Sequence, residues 1–373
     1  MKIALIFGGK SGEHEISLVS AAAIARALNE SHTIILIGIT KNGKWFLQDD
    51  AQLQSVREGK TNSFSIIEKN ENEIRLSLGS GMFSFATKTK SFQIDIVFPA
   101  LHGTFGEDGT IQGLCELLDL PYVGCNVFSS ALTMDKEKTK QLLAFLDIPI
   151  VPYVVIKRTD VFNSRAYDER IEKAIAELSF PLFVKPSSAG SSDGASKVNN
   201  RKELSLALLD AFNWDDKVLI EKCIDARELE CAVLGNTVTF SDEHPVEKPR
   251  AFGPGEIILT HEFYDYNAKY KDSDSVAIPA SLDDALAKKI RALALRAYEA
   301  VDASGMSRVD FFLDKKTNEI FVNEINSIPG FTSISMFPKL CEHAGLSFTE
   351  LCETLLEEAV LRYKAKNALQ TSR

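Results

Sequence analysis

The run Arg308-Val309-Asp310-Phe311-Phe312-Leu313 is followed, after Asp314–Glu319, by Ile320-Phe321-Val322-Asn323-Glu324-Ile325-Asn326, and its reading decides the fold. Two alternating apolar stretches around a short polar segment predict a β-hairpin. A turn centred near Thr317 sets Asp310 opposite Glu324 and Arg308 opposite Asn326. Side chains alternate along a strand, so these four share one face. Val309, Phe311, Leu313, Phe321, Asn323 and Ile325 then share the other, mostly apolar face. Two carboxylates directly opposite one another repel. A hard cation relieves the repulsion, and oxygen-only donors select Mg²⁺ or Mn²⁺. The competing reading is a solvated polar face with Arg308 as counter-ion. The Pro329–Gly330 turn that follows favours the metal.

Magnesium held by few carboxylates commonly takes phosphate as a further ligand, so phosphate-binding residues are expected elsewhere in the chain. Lys185 ends an apolar strand just before Ser187-Ser188-Ala189-Gly190-Ser191-Ser192-Asp193-Gly194. A loop of such small residues can turn backbone N–H groups onto phosphate; a plain surface linker has the same composition. Lys136 opens a helix, where a structural role is equally compatible. His102-Gly103-Thr104-Phe105-Gly106-Glu107-Asp108-Gly109 follows an apolar strand, and a His and a Glu among three glycines suggest a site. Near the start, Gly8-Gly9-Lys10-Ser11-Gly12 joins a strand to a helix and can present N–H groups to a ligand. Glu13 and Glu15 follow it, where they also complement the helix dipole. This is not G-x-G-x-x-G, so a dinucleotide fingerprint fails. Gly38 to Lys44 imitates a phosphate-binding P-loop, but Trp45 stands where a hydroxyl is needed. Asn42–Gly43 there reads as a hairpin turn.

The chain has 373 residues, 45% apolar and 25% charged, which is average for a soluble globular protein. At roughly 100–200 residues per domain, two or three domains are expected. Forty-two Lys+Arg against 52 Asp+Glu give a net charge of −10, which argues against a nucleic-acid partner or an anionic membrane surface. Cys115, Cys125, Cys223, Cys231, Cys341 and Cys352 form no C-x-x-C pair, so no zinc or redox motif is indicated, and most are expected to be small buried hydrophobes. No apolar run reaches transmembrane length, and the expectation is a reduced, cytoplasmic protein.

Strands and helices alternate over residues 1–124: strand Ile3–Phe7, helix Ile16–Leu28, strands Thr33–Ile39, Ser63–Glu68, Glu73–Leu78 and Phe92–Phe98, and helix Ile111–Leu118. That alternation predicts an α/β fold with an open parallel sheet. Residues 125–220 form a second unit with helices Lys136–Leu146, Asp168–Leu178 and Lys202–Phe212 and strands Tyr153–Ile156, Pro181–Lys185 and Val218–Glu221. Residues 221–365 form a third, with strands Glu228–Leu234 and Thr237–Phe240, helix Asp283–Val301, the hairpin, and helix Phe348–Tyr363. Asp242–Ser275 reads as mostly loop, with a lid from about Phe252 to Ser275. Residues 366–373 are a tail, with fraying from Lys364.

Taken together, these stretches resemble the D-alanine–D-alanine ligases of the ATP-grasp superfamily over nearly the whole chain. The resemblance rests on Gly8-Gly9-Lys10-Ser11-Gly12-Glu13-His14-Glu15-Ile16-Ser17, the His102–Gly109 run, Met134-Asp135-Lys136, and Lys185-Pro186-Ser187 with Gly190-Ser191-Ser192. Further matches are Phe263-Tyr264-Asp265-Tyr266-Asn267-Ala268-Lys269-Tyr270, Arg308-Val309-Asp310, and Asn323-Glu324-Ile325-Asn326 with Pro329-Gly330-Phe331-Thr332. It implies an ATP-grasp fold of three α/β domains, with ATP between the central and C-terminal ones. It also implies ligation of two D-alanines through an acyl phosphate, for peptidoglycan precursor synthesis. By the same resemblance, Lys136, Lys185 and Lys269 hold phosphates, and Glu221, Lys222, Ile224, Glu228 and Phe263 contribute to nucleotide binding. Asp310, Glu324 and Asn326 hold two Mg²⁺ or Mn²⁺. Glu13 and His102 orient the first D-alanine, and Glu13, Ser191 and Tyr270 are hydrogen-bonded across the domains. Arg308 and the Gly330 N–H stabilise the oxyanion, and Ser335 with the Met336 backbone takes the second carboxylate. A homodimer is expected. The alternatives are a D-alanine–D-lactate ligase or another ATP-grasp carboxylate–amine ligase, and, from another class, a non-catalytic nucleotide-binding regulator. The retained Arg308, Asp310, Glu324 and Asn326 speak against the regulator. The Lys269–Tyr270 pair resembles the dipeptide-forming branch.

Overall fold

The computed structural model describes residues 1–78, 84–237, 248–258, 275–332 and 334–370. A strand covered on both faces must be apolar throughout, and in Lys2–Gly8 every residue after Lys2 is buried. It lies parallel to Thr33–Ile39 on one side and Ile96–Ala100 on the other, with Trp45–Leu47 antiparallel at the edge. The Asn42–Gly43 turn joins two paired strands, as a hairpin requires. The helix His14–Ala27 covers this sheet.

Two expectations in this region need correction. Ser63–Glu68 is not a strand, and only Arg75–Leu76 of Glu73–Leu78 is. Side-chain amides stand in for a partner strand: Gln52 Oε1 accepts the Ser65 N–H at 2.9 Å and Gln48 Oε1 the Ile67 N–H at 2.8 Å. Gln52 belongs to a helix, Asp50–Arg57, whose short polar sequence gave no periodic signal.

The central sheet is antiparallel, in the order Ser196–Val198, Leu182–Pro186, Lys217–Lys222, Tyr153–Lys157. Helices Ser164–Leu178 and Arg201–Ala211 close its own core around Ile156, Val184, Leu208 and Ile220. The C-terminal sheet runs Ser275–Ala277, Arg250–Ile258, Ala226–Leu234, Met306–Asp314, Ile320–Asn326. Leu229, Val309 and Phe311 pack with Tyr298 of helix Asp284–Ala300. Its opposite side, through Ala232, Leu234 and Met306, shares a core with Ile3, Leu5 and Phe98 of the first sheet and with Phe337 and Leu355 of helices Met336–His343 and Phe348–Asn367. Arg362 reinforces that junction: it donates to the Tyr122 carbonyl at 2.7 Å, with its guanidinium 4.4 Å from the Tyr122 ring centre. The last helix therefore continues past Tyr363 to Asn367 instead of fraying from Lys364, tied by Tyr363 to Asp119 and by Lys366 to Glu116.

The hairpin has the expected register where it matters: Arg308 pairs with Asn326, Val309 with Ile325 and Asp310 with Glu324. Asp314 fixes the turn, its Oδ1 accepting the Lys316 and Thr317 N–H groups at 2.7 and 2.8 Å. Beyond Asp310 a bulge shifts the pairing, so that Phe311 meets Val322. Strand alternation converts that one-residue slip into a change of face. Ile320 and Val322 therefore join the core, and Phe321 and Asn323 turn to the other side, contrary to the expected apolar face.

The expected loop Asp242–Ser275 contains a nine-residue strand, Arg250–Ile258, paired on both edges. Gly253-Pro254-Gly255 reads locally as a breaker, but a bulge accommodates it: Glu230 pairs with Gly255 and Ala232 with Phe252, so two residues oppose Cys231. Gly253 has φ +98°, and a Cβ on Gly255 would come within 2.6 Å of Met336 Sδ. These glycines admit the helix Met336–His343, which was itself not anticipated. Residues 259–274, most of the expected lid, lie outside the described residues, as do residues 238–240 of the expected Thr237–Phe240 strand.

Candidate active site

In open α/β sheets ligands gather at the carboxyl ends of parallel strands. His102 follows Ile96–Ala100, and the Glu13 turn follows Lys2–Gly8. Both line a cavity of about 290 Å³, together with Lys136, Ser191, Arg308, Glu324, Asn326, Gly330, Ser335 and Met336. The fold thus brings most of the expected site residues together from distant parts of the chain. Asp310, Lys185 and Glu221 are buried and do not line it. Lys222, Ile224 and Glu228 run along the connection between the central and C-terminal sheets. Phe263, Lys269 and Tyr270 lie outside the described residues.

His102 is nearly enclosed, at 4% exposure. Ser20 Oγ lies 2.9 Å from its Nε2, and Glu107 Oε1 lies 3.7 Å from its Nδ1. The same Glu107 oxygen accepts the Gly103 N–H at 3.1 Å, fixing the loop that carries the ring. Burial alone would lower the His102 pKa. The nearby Glu107 and Glu13 charges and the Ile328 backbone outweigh it and raise the pKa above the ordinary value. The Glu13 carboxylate fits between two glycines: a Cβ on Gly103 would come within 2.8 Å of its Oε2, and one on Gly190 within 3.2 Å. The Ser187–Gly194 loop of the central unit thereby meets the N-terminal turn. Ser191 on that loop has φ +50°, and its buried Oγ has no hydrogen-bond partner among the described residues.

Lys136 is the first residue of helix Lys136–Phe145. Asp135 caps that helix, accepting the Lys138 N–H at 3.1 Å and the Ser187 hydroxyl at 2.8 Å, so the helix start is pinned to the loop. Lys136 Nζ lies 2.7 Å from the Ala189 carbonyl and 3.7 Å from Glu324 Oε2. Lys185 Nζ donates to Asn323 Oδ1 at 3.0 Å and pairs with Glu221 Oε2 at 2.9 Å. Lys140 Nζ lies 2.8 Å from the other Glu221 oxygen. The Glu221 side chain, expected to meet adenine or ribose, is thus engaged by two lysines, and burial fails to raise its pKa because those cations hold it down.

On the hairpin face Arg308 donates from Nε and Nη2 to the two Asp310 oxygens, each at 2.7 Å, and lies 3.0 Å from Glu230 Oε2. Burial disfavours its charge, but Asp310 and Glu230 raise its pKa well above the usual value. Asn326 Nδ2 donates to Asp310 Oδ2 at 2.9 Å. Arg308 therefore does act as a counter-ion to Asp310. Among the described residues no group of three or more His, Cys, Asp or Glu is placed to hold a metal. The donor set is two facing carboxylates and an amide oxygen, which suits a hard divalent cation with other oxygens completing its shell. Ser335 Oγ sits over Gly330, within 2.8 Å of where a Cβ would be, and accepts the Thr332 N–H at 3.0 Å. The helix that follows directs its N-terminus at the cavity, a setting for a carboxylate.

Sequence reasoning missed Lys140, Ser20 and Glu230 and misplaced Asn323. Lys140 carried a usable signal, lying four residues after Lys136 on the same helix face. Glu230 carried a weaker one in its strand alternation. Five of the six cysteines are buried, as expected of most of them.

A central antiparallel sheet and a C-terminal sheet beside a cavity lined by Lys136, Arg308 and Glu324 define an ATP-grasp ligase, and solved structures of that fold match. The D-alanine–D-alanine ligase of Coxiella burnetii superposes with TM-score 0.81 at 34% identity, covering 99% of this chain and 96% of that one. The VanG D-Ala:D-Ser ligase of Enterococcus faecalis gives 0.80 at 36% identity, covering 96% and 99%. Residues 2–125 match the family model of the D-ala D-ala ligase N-terminus and residues 142–357 that of the C-terminus. The chain belongs to the D-alanine–D-alanine ligase family. Similar relatives include the D-alanine–D-alanine ligases of Treponema denticola, 47% identical over the full length of both chains, and of a Thermoanaerobacter species, strain X514, 45% identical over 98% of each.

Proposed function

We propose that this chain joins two D-alanine molecules into D-alanyl-D-alanine at the expense of ATP, supplying a peptidoglycan precursor in the cytoplasm. The observation that carries the reading is the convergence of Glu13, His102, Lys136, Ser191, Arg308 and Glu324 on one cavity. Three domains divide the work, over residues 1–124, 125–220 and 221–365. ATP lies between the second and third, with Lys136 and Lys185 directed at its phosphates and the Lys222–Ile224 backbone along the adenine. Asp310, Glu324 and Asn326 would hold two Mg²⁺ or Mn²⁺, which when bound neutralise phosphate charge.

A carboxylate is a poor electrophile, because its charge repels nucleophiles and oxide does not leave. Phosphorylating the first D-alanine gives an acyl phosphate, and the second amine then attacks its acyl carbon and expels phosphate. Glu13 and His102 bind and orient the first D-alanine. Arg308 and the Gly330 N–H face the developing oxyanion. Ser335 and the Met336 N–H take the second carboxylate. Closure of Ser191 toward Glu13 excludes water, which would hydrolyse the acyl phosphate. Phe263, Lys269 and Tyr270 complete the site in this reading, and the active form is a homodimer.

The D-Ala:D-Ser neighbour makes the second substrate the point to test. With ATP, Mg²⁺, D-alanine and equal D-serine or D-lactate near neutral pH, mass spectrometry should find D-alanyl-D-alanine in excess. Predominance of either mixed product overturns the substrate assignment and leaves the ligase chemistry standing.

A further inference from the structure

We propose that Lys140 is a positioning residue for the nucleotide, holding the Glu221 carboxylate so that Lys185 remains available to phosphate. This rests on the reading of the cleft as an ATP site. Lys185 and Glu221 are diagonal neighbours on paired strands, Lys185 opposite Leu219 and Glu221 opposite Phe183. Left to themselves they would form a closed buried pair, with the Lys185 charge committed to the acid. Lys140 changes that balance. Its Nζ lies 2.8 Å from Glu221 Oε1 while Lys185 Nζ lies 2.9 Å from Oε2, so one carboxylate is shared by two ammonium groups. The three groups sum to one positive charge, and Lys185 is the member that contacts the hairpin, its Nζ 3.0 Å from Asn323 Oδ1.

Lys140 itself does not reach the nucleotide. Its side chain is 2% exposed, against 9% for Lys185, and its Nζ lies 5.6 Å from the Tyr153 ring centre. Lysine is rarely buried so completely unless paired, and burial lowers its pKa even though Glu221 opposes the shift. A buried pair of this kind contributes little to stability alone. What the second lysine does is neutralise Glu221 independently of Lys185. When phosphate arrives, Lys185 can turn to it without leaving a bare buried carboxylate behind.

The test measures ATP and adenosine binding by calorimetry in the full-length parent, Lys140→Met, Glu221→Gln and the double variant. Adenosine lacks the phosphates that Lys185 would hold. In Lys140→Met, ATP affinity should fall roughly ten-fold or more, while adenosine affinity stays within about two-fold. Adding Glu221→Gln to Lys140→Met should recover most of the ATP affinity. Equal weakening of ATP and adenosine, or no change in either, overturns the role of Lys140. Failure of the parent to bind ATP overturns the ATP reading and this proposal with it. If Lys140→Met does not fold, the double variant is compared with Glu221→Gln. With no acid to hold, loss of Lys140 should cost ATP affinity less than about three-fold. A ten-fold loss there contradicts the proposal.

Discussion

Asp310 stands directly opposite Glu324 on paired strands, and Arg308, two residues before Asp310, places a guanidinium nitrogen 2.7 Å from each Asp310 oxygen. The acid pair is thus flanked by cations of the protein itself, Arg308 on Asp310 and Lys136 at 3.7 Å from Glu324. In the proposed reaction Asp310 and Glu324 would hold a divalent ion, which would supply neutralisation of phosphate charge. Glu324→Gln should therefore depress phosphate release by on the order of a thousand-fold, since metal clamps carry much of such catalysis. Steady-state assays across a Mg²⁺ series measure this, and near-normal turnover at ordinary Mg²⁺ would remove Glu324 from the metal site.

His102 sets a pH dependence. Its folded pKa is raised above 6.5, so the stability it contributes is fully present below that value and is lost as pH rises through the folded pKa. Glu107 and Glu13 are the acids that face it. The denaturation midpoint of the parent should exceed that of His102→Gln most at about pH 6, with the gap narrowing as pH rises. A gap that widens with pH reverses the sign and contradicts the protonated state.

Phe311 is 1% exposed on the core face behind the acid pair. Phe311→Ala should cost about 3–5 kcal/mol in urea unfolding and loosen the hairpin that holds Asp310 and Glu324. A loss below about 1 kcal/mol would mean the face collapses without cost.

Gly8 has φ +89°, and a Cβ there would come within 2.2 Å of the Ile39 carbonyl oxygen, a backbone atom that cannot move aside. Gly8→Ala should destabilise by roughly 2–5 kcal/mol, visible as a lowered Tm. An unchanged Tm contradicts the packing of the first strand's end against its neighbour.

Arg250–Ile258 pairs with Ala226–Leu234 on one edge, and Glu256–Ile258 also pair with Ser275–Ala277 on the other, so the amides of Glu256–Ile258 should exchange slowly even without nucleotide. Fast exchange across the strand would restore the reading of this segment as part of a lid.

The hairpin was legible because its meaning is local. Alternation and a short turn fix the partners near Asp310 and Glu324, and the structure returns those pairs. The failure a little further on, at Asn323, came from a bulge, which is set by how the sheet twists and leaves no mark in alternation. Arg250–Ile258 was illegible for a related reason. Its Gly253-Pro254-Gly255 has the composition of a loop, and the segment is a strand through pairing with Ala226–Leu234 and Ser275–Ala277, with Met336 and Leu340 packed over the glycines. Helix Asp50–Arg57 has a single buried residue, Val56, so no apolar stripe announced it. In the site, residues on recognisable turns and loop starts were found. Lys140 and Ser20, which act from helix interiors, acquire meaning only once Glu221 and His102 are folded against them.

Ligation is tested with purified chain, ATP, Mg²⁺ and D-alanine, followed by phosphate release and by mass spectrometry of the product. Phosphate release should depend on D-alanine, with one D-alanyl-D-alanine formed per ATP consumed. ATP turnover that is indifferent to D-alanine, or D-alanine-dependent turnover without dipeptide, would contradict ligation.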